Sequence, residues 1–153
     1  MSRDTIRTLS ALKALAEVEL GEASLALADL LDQRATRQST LSRWEGDVRA
    51  LLASYERLSR PGASVLVGAL GSLTRQTMDS RASLEEAQAA LSDVDGEVDA
   101  QRTVLQGLQA RHEALGDILQ SARKRHAEEL EKRASLERED LFLVRRHLMG
   151  EHA

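Results

Sequence analysis

Cysteine is absent from the 153-residue chain. That excludes a disulfide framework, a thiolate metal site and a cysteine nucleophile. Pro61 is the only proline, and Trp44, Tyr55 and Phe142 are the only aromatic residues. β-Branched residues are also scarce, with 8 Val and 2 Ile. Sheet folds draw their volume from those residue types, so a β-sandwich, a barrel or a parallel sheet is excluded. No apolar run approaches the roughly 18 residues of a membrane span. The least polar stretch, Gly62 to Leu73, is interrupted by Gly68, Gly71, Ser64 and Ser72. No secretory h-region follows the opening Met-Ser-Arg-Asp-Thr, so a cytoplasmic protein with no stable membrane insertion is expected.

Basic charge is lacking too. The net charge is −4. Residues 1–122 hold 13 Lys and Arg against 18 Asp and Glu, whereas residues 123–148 hold 8 against 6. Neither part is basic enough for a nucleic-acid binder, and three aromatics offer no stacking platform. What the chain does have is 26 Leu and 22 Ala, with Glu, Arg and Gln, all good helix formers. A charged fraction of 30% completes the composition of a long helix or coiled coil.

Hydrophobic periodicity gives the organisation. Alternate steps of three and four from Ile6 reach Leu9, Lys13, Ala16, Leu20, Ala23, Leu27, Leu30, Arg34, Arg37, Leu41, Trp44, Val48, Leu51, Tyr55 and Leu58. Thirteen of these sixteen positions are apolar or aromatic, a sustained heptad seam. The frame fails at Ser59-Arg60-Pro61-Gly62-Ala63-Ser64. Pro61 disfavours helix at Arg60, Gly62 suits a turn, and Ser64 is a candidate cap. A second seam runs from Leu66 through Leu84, Val94, Val98 and Leu105 to Leu119 and Ala122. Beyond Ala122 the apolar stripe moves by one position, to Leu130, Ala134, Leu141, Val144 and Leu148.

The pattern predicts an all-α fold, a long two-helix antiparallel coiled-coil hairpin with a C-terminal helical overhang. The expected boundaries are helix 4–59, turn 60–64 and helix 65–148, as one hairpin over residues 1–153. A four-helix bundle is the competing architecture and needs breaks near residues 35 and 105. Gly46, Gly96, Gly107 and Gly116 stand alone, and one glycine costs a helix about 1 kcal/mol without ending it.

Pairing about Pro61-Gly62 sets residue i opposite roughly residue 123 − i. That places Trp44 near Met78 or Asp79. It also brings the seam arginines Arg34 and Arg37 to Glu85 and Glu86, as ion pairs that fix the register. The first helix then runs out near residue 119, which leaves the overhang from Arg123 without a partner. There, Arg123, Lys124, Arg125, Arg145 and Arg146 supply charge. Leu141, Phe142, Val144 and Leu148 have no reason to face water, which marks a surface for another protein. Homodimerisation through the same stripe and a membrane-surface helix are the alternatives. Glu137, Glu139 and Asp140 count against an anionic membrane.

Catalytic patterns are missing. The pair His112-Glu113 lacks a second histidine at Gly116, and no Glu-x-x-His di-iron motif exists. Neither an enzyme nor a cofactor is expected.

The segment Leu9-Ser10-Ala11-Leu12-Lys13-Ala14-Leu15-Ala16-Glu17-Val18-Glu19-Leu20-Gly21-Glu22-Ala23 resembles the opening of FliJ-type proteins of bacterial flagellar export. The injectisome counterpart, the YscO/SctO-type stalk, has the same design. The resemblance implies a two-helix stalk similar to the rotary-ATPase γ subunit. Such a stalk stands in a hexameric export ATPase, links it to the cytoplasmic domain of the export gate and binds export chaperones. It also implies a cytoplasmic place beside the inner-membrane export apparatus. A generic coiled-coil scaffold that homodimerises is the alternative from another class.

Overall fold

The computed structural model describes residues 3–62 and 67–150. They form two helices, α1 (Arg3–Leu58) and α2 (Val67–Gly150). The helices pack on each other as an all-α hairpin. Both run unbroken through the positions where a four-helix bundle would turn, with Gly46, Gly96, Gly107 and Gly116 inside them. Leu, Ala, Glu and Arg keep the helical register across each lone glycine. Helix α1 ends at Leu58, with the Ser59 amide donating to the Tyr55 carbonyl at 2.9 Å. Gly62 carries φ of +89°, a left-handed value that suits glycine. Ser64 and Leu66 lie outside the described residues.

Packing divides the chain into two compact units, one of Met1–Gly21 with Gln106–Ala153 and one of Glu22–Leu105. In the Glu22–Leu105 unit the buried side chains are Ala23, Leu41, Val48, Ala87, Val94 and Val98. All six belong to the two heptad seams. Two polar seam members in this unit donate to backbone across the seam. Arg37 Nη1 donates to the Ala90 carbonyl at 3.0 Å, and Gln101 Nε2 donates to the Ala23 carbonyl at 3.1 Å. A helix carbonyl keeps a second lone pair after its own helical bond, so these contacts leave the helix intact. Thr77 instead returns its hydroxyl to the Leu73 carbonyl of its own helix.

The register differs from the one expected. Arg34 pairs with Asp95, six residues beyond position 89, and Arg37 reaches Ala90, four beyond position 86. Glu85 and Glu86 are exposed, with neither arginine on them. Asp79 shares a groove with Asp47, Ala50 and Leu51, and Met78 shares one with Leu52 and Tyr55, so neither is the partner of Trp44. The Trp44 ring has the Arg43 guanidinium over it, 5.7 Å from the centroid. The connection contributes to the difference. Because α1 ends at Leu58 and α2 begins at Val67, the connection is centred one residue past Pro61-Gly62, which accounts for part of the shift. Each residue by which the centre moves shifts the facing partner by two.

The unit of Met1–Gly21 with Gln106–Ala153 buries Ala16, Leu119 and Ala122. Antiparallel pairing is set by polar contacts along its edges. His112 Nε2 meets Glu17 Oε1 at 3.1 Å, Arg111 meets Glu19 at 3.5 Å, and Arg123 Nη2 donates to Ser10 Oγ at 3.4 Å. Lys13, a seam position, lays its stem over Gly116, where a Cβ would stand 3.8 Å from Lys13 Cε. The amphipathic stem covers the seam there.

Four stability outcomes follow from this packing. Gly62→Ala should lower stability by about 1 kcal/mol because of the left-handed backbone. Gly96→Ala, with nothing within 4 Å of the added Cβ, should raise it by about 0.5–1 kcal/mol. Leu41→Ala should cost about 2–4 kcal/mol, and Asp95→Asn, at a half-exposed ion pair, less than about 1 kcal/mol. Urea unfolding midpoints at constant slope measure all four.

Candidate functional site: the C-terminal part of α2

Residues 123–150 continue α2 without interruption. Proline is absent there, and glycine does not occur before Gly150. Opposite charges recur four residues apart: Lys124 and Glu128, Arg125 and Glu129, Glu128 and Lys132, Glu129 and Arg133. Each such spacing stabilises a solvated helix by about 0.3–0.5 kcal/mol. Helicity therefore needs little help from tertiary packing in this segment.

The expected overhang begins later than Arg123. Ala122 is fully buried. Arg123 donates to Ser10 and so belongs to the hairpin. His126 is half-buried, and its Nδ1 is shielded without a hydrogen-bond partner. The original seam thus runs one step further, to His126, before the stripe changes phase. This is the same register error as above: the first helix pairs further along α2 than the 123 − i rule places it. Lys124 and Arg125 are exposed. Beyond His126 every described residue except Ala134 is exposed.

Leu141, Phe142, Val144 and Leu148 all lie in that exposed stretch, as do Arg145 and Arg146. Leu143 and Met149 join them, residues that the seam pattern passes over. The six apolar side chains are 55 to 72% exposed, the accessibility of a helix with nothing against it.

Their angular arrangement is informative. At about 100° per residue, Leu141, Val144 and Leu148 make one strip along the helix. Phe142 and Met149 make a second strip, roughly 120° round the helix. Leu143 and Leu136 make a third strip, roughly 120° in the other direction. Arg145 falls between the first and second strips, and Arg146 between the second and third. A helix that is apolar all round is a helix built to be enclosed. One flat partner surface covers one strip and leaves two wet. The missed residues were legible at sequence level: the run Leu141-Phe142-Leu143-Val144 cannot sit on one helical face.

Among the described residues, no three His, Asp or Glu side chains converge as metal ligands. Among them also, no helix is long and apolar enough to cross a membrane. Arg34 and Arg37, the other candidate positions, serve the hairpin through Asp95 and the Ala90 carbonyl. Comparison with protein-family models, curated proteins and solved structures finds no match to this chain.

Proposed function

We propose that this chain is a non-enzymatic stalk of a bacterial type III protein export apparatus, flagellar or injectisome. In this reading it couples a hexameric export ATPase to the cytoplasmic domain of the export gate and also engages export chaperones. The observation that carries the reading is the overhang with three apolar strips. Such a helix is matched by a socket that surrounds it, and a ring of six subunits offers an axial one. The resemblance of Leu9–Ala23 to FliJ-type openings supports the same assignment.

The mechanism is mechanical. The stalk changes nothing covalently. It biases the ring by making different contacts with different nucleotide states, and only such differential contact shifts an equilibrium. Leu141, Phe142, Leu143, Val144, Leu148 and Met149 supply burial at about 1.5–3 kcal/mol each. After ordering and association costs, a few of them suffice for roughly micromolar binding. Lys124, Arg125, Arg145 and Arg146 supply charge for encounter. Arg123 is already engaged by Ser10 and contributes to the hairpin.

A pull-down of the cognate ATPase with full-length and truncated chains tests the proposal. Truncation after His126 should leave the hairpin folded, by circular dichroism and melting, and abolish capture. Truncation after Ala122 should also lower the melting temperature, because it removes the Arg123 bond to Ser10 and the His126 packing. Equal capture by all three chains would remove the overhang from the mechanism. No capture by any would assign the chain to the generic scaffold class. The double variant Lys124→Glu, Arg125→Glu should slow association with the ATPase. The effect should be largest at low salt, where screening is weakest.

A further inference from the structure

Cysteine is absent, so the only sulfur the chain offers to an oxidant is the thioether of methionine. Met78 and Met149 are the methionines among the described residues, and both lie outside the two seams. The seams are filled with Leu, Ala and Val, while these two thioethers stand in the open, 67 and 72% exposed. Exposure leaves both open to attack. Their surroundings differ. Met78 belongs to the hairpin, in a shallow groove with Leu52 and Tyr55. Met149 lies near the end of the overhang, seven residues after Phe142 and on the same strip. Arg145 and Arg146 flank that strip on either side.

We propose that Met149 is an oxidation site that controls engagement of the overhang. The inference rests on the reading of the overhang as the end that a ring encloses. An oxidant of the peroxide class delivers an oxygen atom to the thioether. The sulfur lone pair attacks a peroxide oxygen, an S–O bond forms and the O–O bond breaks. The proton on the transferred oxygen passes to the leaving hydroxide, which departs as water. Sulfur is oxidised, peroxide is reduced, and the chain gains no charge.

The product is a polar sulfoxide in place of a flexible apolar side chain. In the free chain the change is silent, because water solvates the sulfoxide and no seam contact is touched. In an enclosing socket it is costly, because the S–O dipole must leave water. Arg145 and Arg146 add to the effect. They lie four and three residues before Met149, the spacings at which helix side chains meet. A thioether is a weak acceptor for their guanidinium groups, whereas a sulfoxide oxygen is a good one. Oxidation therefore removes burial from the Phe142–Met149 strip and draws both arginines on to their own helix, away from a partner. Reduction of the sulfoxide restores both.

The test treats the full-length chain with hydrogen peroxide, removes the peroxide and locates the sulfoxide at Met149 by peptide mass. The treated chain should keep its circular dichroism spectrum and melting temperature. Its affinity for the cognate ATPase should fall at least about tenfold. Methionine sulfoxide reductases should restore it. Met149→Leu should bind equally before and after peroxide, whereas Met78→Leu should lose affinity on oxidation as the parent does. Undiminished binding by the oxidised parent would overturn the inference, as would an equal loss by oxidised Met149→Leu. The chain truncated after His126 separates this inference from the reading beneath it. Loss of binding on truncation without loss on oxidation sinks the Met149 site alone. Binding unchanged by truncation removes the overhang from the mechanism, and the Met149 site with it.

Discussion

Two helices lying side by side can hide only one stripe of each, and most features of this protein trace to that geometric limit. The stripe is narrow, so its buried members are small or medium: Ala16, Ala23, Ala87 and Ala122 alternate with Val48, Val94, Val98, Leu41 and Leu119. Small residues let the backbones approach, and that approach brings helix carbonyls within reach of side chains from across the seam. Arg37 on the Ala90 carbonyl and Gln101 on the Ala23 carbonyl are the result. A wider core would have buried these polar groups without such partners, at a cost of about 1–3 kcal/mol each.

The same limit explains why so much apolar surface remains outside the seam. Leu12, Leu15, Val18 and Ile118 have no third helix to meet within their unit, and Leu141 to Met149 have no second. A chain whose apolar residues outnumber the places its own fold provides is a chain made for company. The overhang and the open edge differ in kind, however. The edge is one-sided and fits a helix laid beside it. The end of α2 is apolar on three sides and fits an enclosure.

Polar residues in the seam act as register marks more than as sources of stability. The Arg34–Asp95 and Arg111–Glu19 pairs are largely wet, and pairs of that kind contribute little net free energy. Their value is geometric: in this register each sets opposite charges against each other across the hairpin. His112 and Lys13 are accommodated in the same spirit, one turned to Glu17 and the other stretched over Gly116.

The sequence alone determined which residues lie in the seam. Nearly every side chain the structure shelters occupies a position reached by steps of three and four, because the heptad is a local property of one helix. It also determined that the helices run through their lone glycines, a matter of propensity against a single defect. The facing partners were decided only in the tertiary structure. Glu85 and Glu86 match Arg34 and Arg37 in charge as well as Asp95 does, and only the packed register of the two helices selects between them. That register depends in part on where the helices stop and start around Pro61-Gly62, which periodicity does not encode. Where the overhang begins was settled in the same way. Arg123 and His126 read as free surface until Ser10 and the end of α1 are set beside them, because pairing between distant segments is a property of the packed helices and of neither helix alone.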